Sequence, residues 1–276
     1  MIMNILYCGD RKIEDGLIIS VLSLIKNCNQ PLNIFVMTAG FSYRGTDYAC
    51  VRESTVEVLR DRLLQANSES SIEIVNISAV FSEYLPEANM DTRFTPCCML
   101  RLFADMVPQL PEKLLYLDND VICRKNPEEF YDQDINDIEV AGVLDYYGSW
   151  LFRKNFFRRD YINSGVLLLN IKKIRETGLF EACRRKCMEE KMFMPDQTAI
   201  NTLAKYKKLV ARKYNEQREL KKDTVLQHFT TSFRFFPWIR VIAVKPWQIK
   251  KMHRILHLSE YDSILSEYEQ VRANII

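Results

Sequence analysis

Short apolar runs alternate with longer amphipathic stretches along the chain. Ile2 to Cys8 is apolar over a strand's length, the pattern of a strand buried on both faces. Leu17, Val21, Leu24 and Ile25 then recur on one helical face, and Asp15 and Gly16 offer a start. Leu32 to Met37 predicts a second strand. Cys50 to Leu64 predicts an amphipathic helix with Arg52, Glu53, Arg60, Asp61 and Arg62 on its wet side. Ile72 to Ile77 alternates apolar with polar residues and predicts a third strand. Thr95 to Met106 predicts a helix, with Pro96 suited to its first turn. Leu114 to Leu117 predicts a fourth strand that runs into Asp118-Asn119-Asp120. Val140 to Leu144, Val166 to Leu169 and Val225 to Phe229 predict further strands. Helices are predicted over Ile171 to Glu189, Asp196 to Lys205 and the tail from Ile249 to Val271.

Strands alternating with helices of this length predict an α/β layer fold with a mainly parallel sheet. Ligands of such sheets sit outside the carboxyl ends of the strands, so chemistry is sought in the polar residues that follow strand-like runs. No internal repeat, low-complexity tract or Pro/Gly/Ser linker divides the chain, and one domain is the simplest account.

With 276 residues, 47% of them hydrophobic and 27% charged, the chain has the makeup of a globular protein with a sizeable core. A net charge of +2 excludes a general electrostatic grip on nucleic acid. The eight cysteines form no C-x-x-C pair and read as reduced, mostly buried small hydrophobes. No apolar run reaches the length that spans a bilayer, and the N-terminus lacks a signal-peptide pattern. A cytoplasmic protein is the expectation.

The strongest local signal is Leu115-Tyr116-Leu117-Asp118-Asn119-Asp120. Residues i and i+2 of extended backbone project to the same side, so two carboxylates arrive side by side. They repel unless a cation lies between them, and hard oxygen ligands suit Mg²⁺ or Mn²⁺. Such an ion can grip a diphosphate. A plain turn is the other reading, since all three residues favour turns. An EF-hand is excluded because Cys123 stands where that loop needs glycine. The glycine-rich dinucleotide, P-loop and nucleophile-elbow motifs are absent. Three more polar clusters fall at element ends: Asn163-Ser164-Gly165, Pro195-Asp196-Gln197 and Gln227-His228-Phe229. Asp196 also suits a helix N-cap, and His228 also suits a hydrogen-bonded core position.

Together these stretches resemble glycosyltransferase family 8, over about Ile2 to Trp247. The resemblance rests on Asn4-Ile5-Leu6-Tyr7-Cys8-Gly9-Asp10, Met99-Leu100-Arg101-Leu102-Phe103 and Leu115 to Asp120. It continues with Ile162 to Asn170, Pro195-Asp196-Gln197, His228-Phe229-Thr230 and Lys245-Pro246-Trp247. Their order and separations are family-like. The resemblance implies a GT-A-type fold and a retaining transfer of galactose or glucose from a UDP-sugar to a glycan or lipid-linked acceptor, as in bacterial lipopolysaccharide synthesis. It makes residues 1–247 the catalytic domain and 248–276 a helical extension.

The resemblance also implies site roles. Asp118, Asp120 and His228 are expected to hold Mn²⁺, with Mg²⁺ as the other candidate. Cys8, Asp10 and Asn119 fall where the family contacts the nucleoside. Arg101 and Asn163 are expected at the donor sugar, and Asp196, Gln197 and Asp145 around the reacting centre. The family's phosphate-binding lysine has no match at its usual spacing: Arg234 stands six residues after His228, and Lys245 comes later, with Arg240 a third candidate. Gln197 is a poor nucleophile, so front-face attack is expected, with Asp196 the alternative nucleophile. A self-glucosylating enzyme resembling glycogenin and a non-catalytic nucleotide-sugar-binding protein are the competing functions. Lys245, Lys250, Lys251, His253 and Arg254, interleaved with Trp247, Ile249 and Met252, suit an ordinary surface helix or a peripheral membrane contact. The oligomeric state has no signal in the sequence.

Overall fold

The computed structural model describes residues 2–92, 95–145, 160–234 and 240–275, with the backbone alone described at 232–234 and 240–241. Thirteen short strands are described: β1 (Met3–Cys8), β2 (Leu32–Thr38), β3 (Phe41–Tyr43), β4 (Thr46–Tyr48), β5 (Ser71–Asn76), β6 (Lys113–Leu117), β7 (Val121–Cys123), β8 (Val140–Leu144), β9 (Ile162–Asn170), β10 (Lys207–Leu209), β11 (Leu226–His228), β12 (Ser232–Arg234) and β13 (Arg240–Ile242). Seven of them form the central sheet, in the order β10-β8-β9-β6-β1-β2-β5. β6, β1, β2 and β5 run parallel, as do β8 and β10, while β9 is antiparallel to both its neighbours. The α/β, mainly parallel expectation holds.

The sheet is apolar on both faces because both are covered. Ile5, Val36, Leu115 and Leu168 point into one core with the helices Glu14–Asn27, Glu53–Ala66 and Asp262–Ala273. Leu6, Met37, Tyr116 and Leu167 point into the other, with Leu179–Glu189 and Pro195–Leu203. Fully burying one such side chain stabilises by about 1.5–3 kcal/mol.

Four elements depart from the sequence expectation. The segment Pro96–Met106 is a 3₁₀ helix, not an α-helix. Its threefold period stacks side chains at i and i+3, so Thr95, Cys98 and Arg101 fall on one face, and all three line the same cavity. The predicted helix over Ile171 to Glu189 is two helices, Ile171–Thr177 and Leu179–Glu189. Gly178 adopts φ 67° between them, the left-handed cap conformation that glycine enters without strain. The tail breaks likewise at His257, which has φ 51°, before Asp262–Ala273. Strand β9 starts earlier than its apolar run suggests and carries Asn163-Ser164-Gly165 within it.

The C-terminal helix is docked, not appended. Leu265, Tyr268 and Val271 are buried in the core beneath Glu14–Asn27. The Tyr268 hydroxyl donates to Asp15 at 2.8 Å, and the Tyr261 hydroxyl to Gln227 at 2.6 Å. Leu265→Ala should lower unfolding free energy by about 2–4 kcal/mol, the range for a buried leucine that leaves a cavity. Urea unfolding followed by circular dichroism checks this; a loss below about 0.5 kcal/mol, the size of an ordinary surface change, would show the helix to be peripheral to the fold.

Candidate active site

Adjacent strand ends gather the polar residues. Cys8 ends β1, Asp118 follows β6 and Asp145 follows β8. Because β9 runs antiparallel, its amino end lies beside those carboxyl ends: Val166 pairs with Leu117, and the Asp118 N–H donates to Gly165 O at 2.8 Å. The result is a cavity of about 380 Å³. Cys8, Arg101, Asn119, Asn163, Asp196 and Gln197 lie on its wall, as do Asp118, Asp120, Asp145, His228 and Lys245. Asp10 is buried and is not among the lining residues.

His228 reaches the acids through backbone pairing. β11 lies antiparallel to β7 with His228 opposite Val121, and the Phe229 N–H donates to Asp120 O at 3.0 Å. Imidazole Nε2 then stands 3.1 Å from Asp120 Oδ1 and 3.6 Å from Asp118 Oδ2. One ligand atom from each of Asp118, Asp120 and His228 lies within 4.8 Å of the others. Two carboxylates and one imidazole make a donor set fit for a divalent ion such as Mn²⁺. Gly165 makes room for the ring: a Cβ there would fall 2.0 Å from His228 Cε1. Gly16 does the same for the turn, since a Cβ would fall 2.3 Å from Asn119 O and 2.8 Å from Trp247 Cζ3.

The acids are held by cations. The Lys245 ammonium pairs with Asp120 Oδ2 and donates to Phe229 O at 3.0 Å. Burial would raise the Asp120 pKa, but Lys245 and His228 outweigh it and hold this carboxyl well below the usual range. Arg101 is 3% exposed, so its charge must be met internally. Its Nη2 donates to Asp118 Oδ1 at 2.8 Å, its Nη1 to Ser164 O, and its Nε to Cys98 O at 3.0 Å. Nε also lies 3.3 Å from Asp196 Oδ2. That oxygen makes no aligned hydrogen bond, so the pair is Coulombic and leaves the oxygen's lone pairs unmatched. The Tyr116 hydroxyl donates to Asp118 Oδ1 at 2.6 Å, and the Arg101 guanidinium sits 4.1 Å from the Tyr116 ring centre.

The family's sequence pattern, described as "Glycosyl transferase family 8", matches residues 4–251. The chain belongs to glycosyl transferase family 8. A lipopolysaccharide 1,2-glucosyltransferase of Escherichia coli K12 is 26% identical over 264 residues, covering 89% of this chain and 72% of the relative. The glycosyltransferase GlyA of Streptococcus pneumoniae is 30% identical over 155 residues, but this match spans only 20% of GlyA's length. Among solved structures, the galactosyltransferase LgtC in complex with donor and acceptor sugar analogues superposes with a TM-score of 0.67 at 17% identity, covering 97% of this chain and 96% of that one. Mouse xyloside xylosyltransferase 1 gives 0.57 at 14% identity, covering 83% of this chain and 97% of that one. These likenesses establish the GT-A-type fold.

In this family-8 chain the predicted sugar-side residues also converge. Gln197 Oε1 accepts from the Ser164 N–H at 2.9 Å, and Gln197 Nε2 donates to Asp145 Oδ2 at 2.8 Å. Asn163 Nδ2 lies 3.3 Å from both Asp145 Oδ2 and Gln197 Oε1. The side chains of Arg234 and Arg240 lie outside the described residues, so Lys245 is the one of the three basic candidates with a described side chain on the cavity wall. Burial pushes the cavity thiols up, Cys97 to about 12 and Cys98 well above its ordinary range, so they line the wall as neutral groups. Sequence reasoning gave no individual role to Tyr116 or Ser164, though both lie inside stretches it singled out, and none to Gln217 or Asn215, which fall in no spacing that signals chemistry.

Gly165→Ala should displace the imidazole and lower Mn²⁺ affinity by about 10–100-fold with the fold kept, the scale set by misoriented metal ligands. Isothermal titration with Mn²⁺ alone tests this; unchanged affinity would remove Gly165 from the site's design. A pH prediction follows from Asp120. Its folded pKa is lowered, so its contribution is complete above the unfolded value of about 4 and is lost as pH falls toward the folded value. Lys245→Met should therefore flatten the fall in stability below about pH 4, and urea unfolding across that range measures it.

Proposed function

We propose that this protein transfers a hexose, galactose or glucose, from a UDP-sugar to a hydroxyl of a glycan or glycolipid acceptor, retaining the anomeric configuration and using Mn²⁺ or Mg²⁺. The observation that carries this reading is the convergence of Asp118, Asp120 and His228 on a cavity that also holds Asn163, Asp196 and Gln197. Asp118, Asp120 and His228 would hold the ion, which when bound supplies Lewis-acid neutralisation of the diphosphate. The imidazole favours Mn²⁺. Relatives named as lipopolysaccharide glucosyltransferases, and a structural neighbour crystallised with donor and acceptor sugar analogues, support a sugar donor and a sugar acceptor.

The chain's own residues divide the remaining work. Cys8 and Asn119 would border the nucleoside, with buried Asp10 supporting the turn that follows Cys8. Lys245 would place its ammonium on the diphosphate and stabilise charge on the leaving group; Arg234 is a second group for the same task. Asp196, buried on the cavity wall and paired with Arg101, would border the sugar. None of the three groups at the reacting centre is a poised nucleophile. Gln197 is an amide with its oxygen engaged by the Ser164 N–H, Asp145 Oδ2 takes donors from Gln197 and Asn163, and Asp196 is paired with Arg101. Front-face attack follows. The bond from the anomeric carbon to the phosphate oxygen breaks, the acceptor oxygen bonds to that carbon on the same face, and its proton passes to the departing phosphate oxygen. A glycosyl adduct isolated on Asp196 would instead assign the nucleophile to that carboxylate.

The catalytic unit in this reading is residues 1–247, with 248–276 a helical extension that buttresses the helix Glu14–Asn27. Among the described residues no helix is long and apolar enough to cross a membrane. The reading places the work in the cytoplasm, with exposed Lys250, Lys251 and Arg254 touching the anionic inner face of the membrane.

A panel of UDP-sugars, assayed for UDP release with Mn²⁺ and with chelator, tests the function. One UDP-hexose should support metal-dependent turnover. Asp120→Asn should lower that turnover by more than the roughly 100-fold expected from disturbing a metal ligand's support alone. Binding of UDP and Mn²⁺ with no turnover of any UDP-sugar would overturn the enzymatic reading, and full activity in Asp120→Asn would remove the metal site.

A further inference from the structure

The sugar-side residues and the metal-side imidazole are joined by one side chain, Asn215. It is fully buried and follows the 3₁₀ turn Arg212–Tyr214. Its Nδ2 lies 2.9 Å from Asn163 Oδ1, and its Oδ1 lies 3.2 Å from His228 Nδ1. The orientations of Asn163, Asn215 and Gln197 can be deduced from backbone groups, whose donors are unambiguous. The Gly165 N–H donates at 3.0 Å to Asn163, so the atom it meets is the amide oxygen. The Asn215 atom on that same oxygen must then be the NH₂ group. The other Asn215 atom is therefore its carbonyl oxygen, an acceptor, and His228 Nδ1 must carry the hydrogen that meets it. Nε2 is the nitrogen that faces Asp118 and Asp120, the one a metal there would take. The Ser164 N–H fixes Gln197 Oε1 by the same logic, which turns Gln197 Nε2 toward Asp145 and leaves Asn163 Nδ2 to donate to both.

We infer that Asn215 is a positioning residue: it sets the Nδ1–H tautomer of His228, aims Nε2 at the metal site, and locks that ring to the Asn163–Gln197–Asp145 network that borders the sugar. A neutral imidazole offers one nitrogen to a metal only when the other holds the hydrogen, so the partner of Nδ1 decides whether the ring can ligate. The pairing needs both functions of a carboxamide. Its oxygen takes the imidazole N–H and its NH₂ meets the Asn163 oxygen, a combination that no hydroxyl of that length or single carboxylate supplies. Gly165 closes the arrangement, since its N–H orients Asn163 while its missing side chain leaves room for the ring.

This inference rests on the metal-site reading, and Mn²⁺ titration of the metal-free full-length protein separates the two. Failure of the wild type to bind Mn²⁺ would sink the metal-site reading. Wild-type binding with equal affinity in Asn215→Leu would sink the role of Asn215 alone. Asn215→Leu should weaken Mn²⁺ binding by about 10–100-fold. Asn215→Asp keeps the acceptor for Nδ1–H and loses the donor to Asn163, so it should hold Mn²⁺ within about threefold of wild type, below the effect of losing an orienting partner. It should still raise KM for the UDP-sugar while leaving UDP affinity unchanged. A purely structural role predicts that Asp and Leu lose metal affinity together, in step with stability. Side-chain ¹⁵N spectra of the Mg²⁺-loaded wild type and Asn215→Asp proteins give a readout that does not depend on the leucine variant folding. With three histidines in the chain, the His228 signals are assignable. A protonated, slowly exchanging Nδ1 supports the assignment, and a proton on Nε2 overturns it.

Discussion

The structure turns on the crowding of acids at one end of the sheet. Asp118, Asp120, Asp145 and Asp196 all line one cavity, and three of the four are buried. Carboxylates taken out of water are costly unless each is paired and hydrogen-bonded. Arg101 answers this by touching Asp118 and Asp196 at once, with Tyr116 adding a hydroxyl to Asp118 and Lys245 taking Asp120. The 3₁₀ winding of Pro96–Met106 suits this arrangement. That period keeps Thr95, Cys98 and Arg101 on the cavity side while Leu100, Leu102 and Phe103 stay in the core.

The reversal of β9 is what lets these groups meet. A strand parallel to β6 and β8 would present its carboxyl end at the site and leave Asn163-Ser164-Gly165 at the far edge. Antiparallel pairing instead brings the amino end of β9 beside Asp118 and Asp145, and it does so with backbone N–H groups to spare. Ser164 and Gly165 each spend an N–H on a pocket amide. Side-chain orientations across the site are thus referred to rigid backbone, which is how a polar network in low dielectric stays unique.

Much of this was legible in the sequence, and the reasons differ by residue. Asp118 and Asp120 are visible because an apolar strand delivers them, although Asp118-Asn119-Asp120 is the turn that these residue types favour, closed by the Val121 N–H on Asp118 O at 3.1 Å, and not extended period-two backbone. His228, Asn163, Asp196 and Gln197 are visible because each sits next to a strand-like run or a helix start. The α/β architecture follows from alternation alone. The reversal of β9 is not legible, since a strand buried on both faces reads the same in either direction. The split at Gly178 was signalled by the glycine itself, yet the apolar period continues across it. Asn215 gave no signal because Lys213-Tyr214-Asn215-Glu216-Gln217 has neither period nor motif; its importance is entirely three-dimensional. The hairpin β12–β13 and the short strands β3 and β4 were missed for a related reason, each being too short to show alternation.

Lys245 shows how the same residues serve folding and the proposed chemistry. Its ammonium gives hydrogens to Asp120 Oδ2 and Phe229 O, which commits two of its three donors there. A divalent ion on Asp118, Asp120 and His228 would bring the positive charge that Asp120 now draws from lysine. The diphosphate would then offer the released ammonium a new partner. On the proposed reading, metal and donor would favour each other's binding through Lys245, equally in both directions by linkage. The late position of this lysine in the sequence fits the same geometry, since Trp247, two residues on, packs against Gly16, the glycine that also abuts Asn119, and anchors the segment beside the acids.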